Sequence, residues 1–431
     1  MTRTTVGLFA VLVALPVLGS AQDAAVTYHE DVLPLLQERC QGCHRPGEAA
    51  PFSMLTYQET RPCARAMKRV VESREMPPWG AEPGVGQFAN DQRLTRSEVD
   101  LIARWADAGA PAGDIAKAPP PLRFTEGWNI GEPDRVFEMP TPFEVPATGT
   151  VDYQWIVIPT GFEEDTWIQK VEVRPGDRSV VHHVLAFYRQ PGSTWLTDAT
   201  PGVPTPKGSG DPEAGMSDGT IGGYVPGLPP TDLPDGRALF LPAGSDLVLQ
   251  LHYTTVGTAA SDQTKVGIVF ARAPVEERFL SVPVVSNDFV IPPGAADYRV
   301  DAEMTLDADV RVIGFTPHMH LRGRAFEYRA VFPDGRREVL LRVPDYDFNW
   351  QLTYELQEER IFPSGTIIEA SAWYDNSPAN RFNPDPDAEV RWGDQTWDEM
   401  MAGFVEFAVS PDQDRSTLVR QAPVEGATSG P

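Results

Sequence analysis

From about residue 125 onward the chain is a succession of short segments rich in Val, Ile, Phe, Tyr and Thr, each closed by Gly, Pro or Asp. YQWIVI, WIQKVEV, DLVLQLHYTT, KVGIVFA, DVRVIGF, FEYRAVF, EVLLRV, IIEASAWY and MAGFVEFAV are examples. Short strands punctuated by turns, with no helical period between them, restrict this part of the chain to antiparallel sandwiches. The region is long for one sandwich, so two are expected, over 125–284 and 285–412. The stretch ERFLSVPVVSNDFVIPPGA, at 277–295, is the candidate join. Residues 190–238 carry Gly and Pro throughout and read as an excursion between strands, either a lid over a site or a solvated loop. Residues 413–431 read as a disordered tail.

The N-terminal quarter follows another period. DVLPLLQERCQGCH sets Val32, Leu35 and Leu36 on one helical stripe, and RSEVDLIARWADAGAP sets Val99, Ile102 and Trp105 on another that stops at Gly109 and Pro111. A small all-α domain over 22–114 is expected. Pro119 to Pro121 then favour an extended spacer, 115–124. The expected architecture is therefore multidomain, a small helical domain followed by two all-β sandwiches.

Residues 1–21 have the three parts of a signal peptide: Arg3, an apolar run from Val6 to Leu18, and Gly19, Ser20 and Ala21 before Gln22. No later apolar stretch reaches the ~18 residues that a membrane span needs. The mature chain is thus expected to be periplasmic or secreted, without a transmembrane segment. A net charge of −25 argues against nucleic acid as a partner, because phosphate binding needs a basic stripe. Three cysteines are too few for a disulfide framework.

Two of those cysteines belong to CQGCH. Cys40 and Cys43 followed at once by His44 match covalent attachment of haem c, with His44 as the proximal iron ligand. Met76, in REMPPWG, is the best-placed sixth ligand; Met54, Met67 and His29 are alternatives. This segment resembles the small class I cytochromes c. Cys63 has no evident partner.

The remaining histidines also cluster. The chain has seven in all, and apart from His29 and His44 they are the pair His182 and His183, His252, and His318 with His320. Neighbours on a regular strand point to opposite faces, so His182 and His183 can share a metal only where the strand is twisted or bulged. In DLVLQLHYTT, Leu247, Leu249 and Leu251 share the core face, which leaves Gln250 and His252 on the other. Three imidazoles suit copper or, less specifically, zinc. In HMH, two imidazoles two residues apart project from one strand face and can clasp one ion, while Met319 points away. A thioether would complete that site, and TWDEMMAGFVEF offers Met400 and Met401.

HHVL, LVLQLHY, HMH and DEM, in that order over roughly 125–410, resemble the copper type II, ascorbate-dependent monooxygenases, which include the peptidylglycine and dopamine hydroxylases. The resemblance implies two jelly-roll sandwiches with one copper each. It implies an electron-transfer copper on His182, His183 and His252, and an oxygen-activating copper on His318, His320 and Met400. The implied reaction is hydroxylation of a carbon–hydrogen bond by dioxygen. The fused haem is then expected to pass single electrons to the three-imidazole copper, supplied by an electron-donor protein, ascorbate or another external reductant.

Departures from the family bear on substrate. Peptide-amidating members hold a carboxylate with an arginine and a tyrosine where this chain has Thr316 and Phe404. A small non-peptide substrate is therefore expected, with Phe315 and Phe404 either lining its site or serving the core. Arg322 and Arg324 either steer an anionic substrate or pair within the fold, and Asp398 and Glu399 are expected to serve the turn. No G-x-S-x-G, Walker loop or paired catalytic carboxylates compete for the active site. The alternative from another class is a non-catalytic haem and copper protein that only relays electrons.

Overall fold

The computed structural model describes residues 25–48, 50–206 and 219–421. The expected signal segment, 1–21, lies outside the described residues. None of the described helices is long and apolar enough to cross a membrane.

The first part of the chain is a small helical unit. Helices Leu33–Arg39, Ala64–Glu72 and Arg96–Asp107 surround a core of Tyr28, Leu36, Met54, Met67, Ile102 and Trp105. Thr95 and Glu98 form a reciprocal capping box that starts the last helix, satisfying amides that would otherwise be orphaned. Gly109, at φ 84°, takes the left-handed conformation past its end. The proline spacer does not stand away from this unit. Gln37 donates to the Pro120 carbonyl at 2.9 Å, and the Arg45 guanidinium lies 4.3 Å from the Phe124 ring centre.

Not all of the expected helical region is helical. Residues 79–90 are irregular and pack on the second sandwich. Glu82 donates its amide to Arg342, and Ala89 donates to Glu355, both at 2.8 Å. Trp79 and Phe88 join Tyr354 in an edge-on aromatic group, with Phe88 buried in the second sandwich's core. The helical period stops at Glu72 because Pro77, Pro78 and Pro83 cannot continue a helix, and the apolar residues among them find their partners across the domain boundary.

The rest is β-sheet, as the strand pattern required. A nine-stranded sheet runs through both sandwiches. Its first half, with Lys265–Phe270 and Thr166–Arg174 at its centre, faces a five-stranded sheet containing Gln154–Pro159, Asp246–Tyr253 and Val181–Arg189. Its second half, with Met401–Val409 and Val310–His318, faces another five-stranded sheet built around Gly323–Val331 and Ile367–Tyr374. Each pair of faces encloses its own apolar core.

Strand Glu277–Ser286 is the seam. It pairs antiparallel with Met401–Val409 along its length and parallel with Arg237–Leu241 at only two positions. Leu280, Val282 and Val284 point into the second core, and the strand lies within the stretch 277–295 expected to join the two sandwiches.

The excursion over 190–238 is neither lid nor solvated loop where it is described. Trp195, Leu196 and Ala199 cover the outer face of the first five-stranded sheet against Trp155, Val157, Phe187 and Val248, and Gly219–Tyr224 is a strand of that sheet. Part of the expected disordered tail is also structured: Val419–Gln421 pairs with Tyr298–Leu306. Residues 422–431 lie outside the described residues.

Phe88 is 8% exposed and anchors the irregular segment. Phe88→Ala is expected to cost about 3 to 5 kcal/mol. Denaturant unfolding followed by tryptophan fluorescence should show a lower midpoint for the second sandwich.

Candidate metal centre

His182 and His183 reach one place because the strand carrying them is bulged there. Opposite Val181–Arg189, His252 pairs with His183 and Tyr253 pairs with Val181, so His182 is the extra, unpaired residue. The bulge turns both rings to the same side. The Nδ1 atoms of His182 and His183 lie 3.1 Å apart. One nitrogen from each of His182, His183 and His252 falls within 4.8 Å of the others. His252 Nδ1 is buried with no hydrogen-bond partner. A buried imidazole nitrogen left this way costs about 1 to 3 kcal/mol, which a cation at the centre of the three would relieve.

Burial sets the protonation of the cluster. It pushes the pKa of His183 and of His252 well below the usual imidazole value, and neighbouring imidazoles push further in the same direction. Both are therefore neutral at physiological pH, the form that ligates a metal. Tyr153 roofs the pair, with its ring 5.6 Å from His183 and 4.7 Å from His252.

His318 ends strand Val310–His318, and His320 lies just beyond it with the ring centres 5.3 Å apart. Met319 points into the core, fully buried. His318 Nδ1 contacts Gln351 Oε1 at 2.7 Å, and His320 Nδ1 faces the Asp398 carbonyl at 3.4 Å. With Nδ1 donating to oxygen in each ring, Nε2 is the nitrogen left to ligate. Burial lowers the pKa of His318 to about 4 and that of His320 well below the usual value.

The turn that brings these two rings together rests on Glu399. Its carboxylate accepts from the His320 amide at 2.8 Å and from the Arg322 amide at 2.6 Å, so it is bound to the turn as expected. Gly323 lets the turn close: a Cβ there would lie 2.6 Å from the Met319 Cβ. Met400 follows Glu399 directly. It is 8% exposed and its carbonyl accepts from Tyr374 Oη at 2.7 Å. Met401 is instead fully buried in the second core.

Other sequence-named residues fall outside the centre. Arg322 is buried and bound to Asn376, Trp397 and Asp385, while Arg324 pairs with Asp297 at 3.3 Å on the surface. Both are engaged within the fold. Phe315 is a core residue. Thr316 and Phe404 are direct cross-strand partners, and the Thr316 hydroxyl is engaged by Thr353 Oγ1 at 2.8 Å. Sequence reasoning missed the segment Tyr346–Gln351. It supplies Gln351 to His318, places Asn349 Oδ1 3.4 Å from His182 Nε2, and sets the Phe348 ring against both histidine groups. Its signal was an aromatic cluster, YDFNW, in a connection that needed only turn residues.

At CQGCH, Cys43 is exposed and Cys40 is half-buried, both as free thiols, and His44 Nδ1 lies 3.2 Å from the Phe52 carbonyl. With Nδ1 engaged by that carbonyl, Nε2 is the ring nitrogen left to ligate. Cys40, Cys43 and His44 thus share one short loop, in which the His44 amide donates to the Cys40 carbonyl at 2.9 Å. Met76 lines a cavity of about 1360 Å³ between the helical unit and the second sandwich, and none of Cys40, Cys43 or His44 lines it. Met54 and Met67 are buried in the helical core, and His29 packs 5.1 Å from the Tyr28 ring.

Fold and site together define a protein of two fused β-sandwiches with a three-histidine cluster, able to hold a metal ion, at a strand bulge. No protein-family profile matches the chain. It is similar to the human DBH-like monooxygenase protein 1, 25% identical over 345 residues, covering 70% of this chain and 53% of that protein. The mouse protein of the same name is 25% identical over 355 residues, covering 73% and 55%. The chain thus spans about half the length of the curated relatives it matches. This distant similarity supports the copper monooxygenase family that the histidine motifs resemble, and the three-histidine cluster is consistent with copper. Solved structures of infectious bursal disease virus, such as the Gx strain, align over 68% of this chain and 77% of that one at 11% identity and a TM-score of 0.18, a likeness that carries no argument.

On the His318 face of its strand, Gly314 pairs with Glu406. Burial raises the Glu406 carboxyl from 4.5 to about 7, with the Glu355 charge adding and the Thr316 hydroxyl opposing. Below about pH 4.5 folded and unfolded chains are both protonated there. As pH rises toward about 7 the unfolded chain ionises first, and stability is lost. Glu406→Gln is expected to unfold at a higher temperature than the parent at pH ~8, with the difference closing by pH ~4.5.

Proposed function

We propose that the protein is an exported haem and dicopper monooxygenase, periplasmic or secreted, that hydroxylates an activated carbon–hydrogen bond of a small non-peptide substrate. In this reading the sandwiches are jelly rolls and the helical unit is a cytochrome c-like domain. The observation that carries it is the gathering of His182, His183 and His252 at one point, beside a second histidine pair that the same loop touches.

His182, His183 and His252 would hold the electron-transfer copper. His318, His320 and the thioether of Met400 would hold the oxygen-activating one, and Cys40, Cys43 and His44 would hold haem c. When bound, the coppers supply single-electron transfer and dioxygen activation, and the haem supplies electrons from an external reductant such as ascorbate or a donor protein.

The chain's own residues prepare the site. Gln351 and the Asp398 carbonyl hold the His318 and His320 rings in the tautomer that presents Nε2. Glu399 fixes the turn between them. Thr316 and Phe404 offer no cation to a carboxylate, which favours an uncharged or non-peptide substrate beside His318.

A docking contact supports the direction of electron flow. Arg178, just before the histidine pair, forms an ion pair with Glu48 of the CQGCH loop and donates to the Gly47 carbonyl at 2.9 Å. Its guanidinium lies 5.4 Å from the Tyr224 ring on the neighbouring strand. The CQGCH loop is therefore held against the turn that leads into the strand of His182 and His183, which favours the three-histidine copper as the electron acceptor.

Copper-loaded, reduced protein is expected to consume dioxygen only with a substrate, releasing one hydroxylated product per dioxygen. Oxygen uptake and product analysis with small aromatic molecules bearing benzylic carbon–hydrogen bonds check this. Replacing His318 and His320 together by alanine should abolish uptake and remove one copper, leaving the three-histidine copper in place. Replacing Cys40 and Cys43 by serine should slow copper reduction by the donor. A fully reduced parent that stays inert to oxygen with every substrate would favour the electron relay instead.

A further inference from the structure

Phe348 is 7% exposed, yet it belongs to none of the apolar cores. Its ring neighbours are imidazoles. The His182 ring stacks on it at 5.1 Å between centres with 10° between planes, and His252 and His183 lie at 6.1 and 6.2 Å. The His320 ring meets it edge-on at 5.9 Å, from the other histidine group. Among the described residues no imidazole of one group is in ring contact with an imidazole of the other. A buried phenylalanine normally collects aliphatic and aromatic neighbours, so this setting calls for a reason beyond packing.

The backbone beneath the ring is tied down on both sides. Asp347 Oδ1 accepts from the Asn349 amide at 2.9 Å and from Asn349 Nδ2 at 2.8 Å, and the Trp350 amide closes on the Asp347 carbonyl at 2.9 Å. This tight aspartate turn carries Phe348 within it. On the N-terminal side, Tyr346 donates its hydroxyl to the Met319 carbonyl at 2.9 Å and accepts from the Met319 amide at 3.1 Å, gripping the residue between the two histidines. On the C-terminal side, Gln351 bonds His318 and donates to the Phe348 carbonyl at 3.3 Å. The second group and the ring are thus built as one rigid piece.

We infer that Phe348 is the spacer of the metal centre: a positioning residue whose ring keeps the two histidine groups as two separate mononuclear sites. The inference rests on the dicopper reading above. Phenylalanine has no lone pair to offer a metal and fills its volume with apolar surface, so it denies that space to a bridging water or hydroxide. Removing the ring would leave a cavity walled by imidazoles and metal ions, and a polar cavity of that kind fills with water. An oxygen shared by both coppers would couple their unpaired spins. With the ring in place, two coppers bound by these histidines would each exchange electrons and small ligands singly.

The test is electron paramagnetic resonance of the fully oxidised, copper-loaded full chain, with copper content measured on the same samples. The parent and Phe348→Leu, which keeps apolar bulk in the gap, are expected to show two uncoupled Cu(II) per chain. Phe348→Ala is expected to retain both coppers but lose signal intensity through coupling, or to show clear dipolar broadening. An Ala variant whose signal matches the parent at two coppers per chain overturns the spacer. So does an Ala variant that loses a copper while the Leu variant keeps both, because the ring would then be holding a site together. A parent chain that binds fewer than two coppers removes the dicopper reading itself, a result visible before any variant is compared.

Discussion

Burying uncharged imidazoles is the constraint on which the rest of the centre depends. His183, His252 and His320 are buried, and His182 and His318 half-buried, between two sandwiches whose cores are apolar. Desolvation drives their protons off and leaves nitrogens that must find a donor or a cation. Each exposed lone pair or N–H then has to be answered individually. The Asp398 carbonyl answers one, Gln351 another, and His252 Nδ1 remains without a hydrogen-bond partner. Neutral, oriented and partly unsatisfied imidazoles are what a metal centre requires before its ion arrives.

Two local distortions convert ordinary strands into that geometry. The bulge opposite His252 sets adjacent histidines on one side, which a regular pleat forbids. The turn after His318 bends around Glu399, whose two oxygens bind two turn amides. The loop Tyr346–Gln351 then spans both groups. The loop contacts the Met319 backbone and both histidine groups, and its Tyr346, Asp347 and Trp350 line the cavity that Met76 also lines.

Much of this was legible in the sequence, for physical reasons that differ by element. Strands such as Met401–Val409 were readable because alternation and turn residues report a half-buried sheet directly. The need for a bulge at His182 and His183 was readable because two side chains cannot share a metal on a flat strand. What stayed hidden depended on contacts between distant segments. Phe88 and Trp79 gave no strand or helix period because their partners, Tyr354 among them, lie far along the chain. Trp195 and Leu196 sit in a stretch full of Gly and Pro, and only the sheet they cover explains their burial. Phe348 matches no metal-binding pattern because its contribution is volume, which leaves no motif.

The central claim is that the two histidine groups are two copper sites, one of three imidazoles and one of two imidazoles and a thioether. Anomalous diffraction at the copper edge, from crystals of the copper-loaded chain, measures this most directly. Two peaks are expected, one bounded by His182, His183 and His252, the other by His318, His320 and the Met400 sulfur. A single peak, or a second peak without His318 and His320 among its neighbours, would contradict the account.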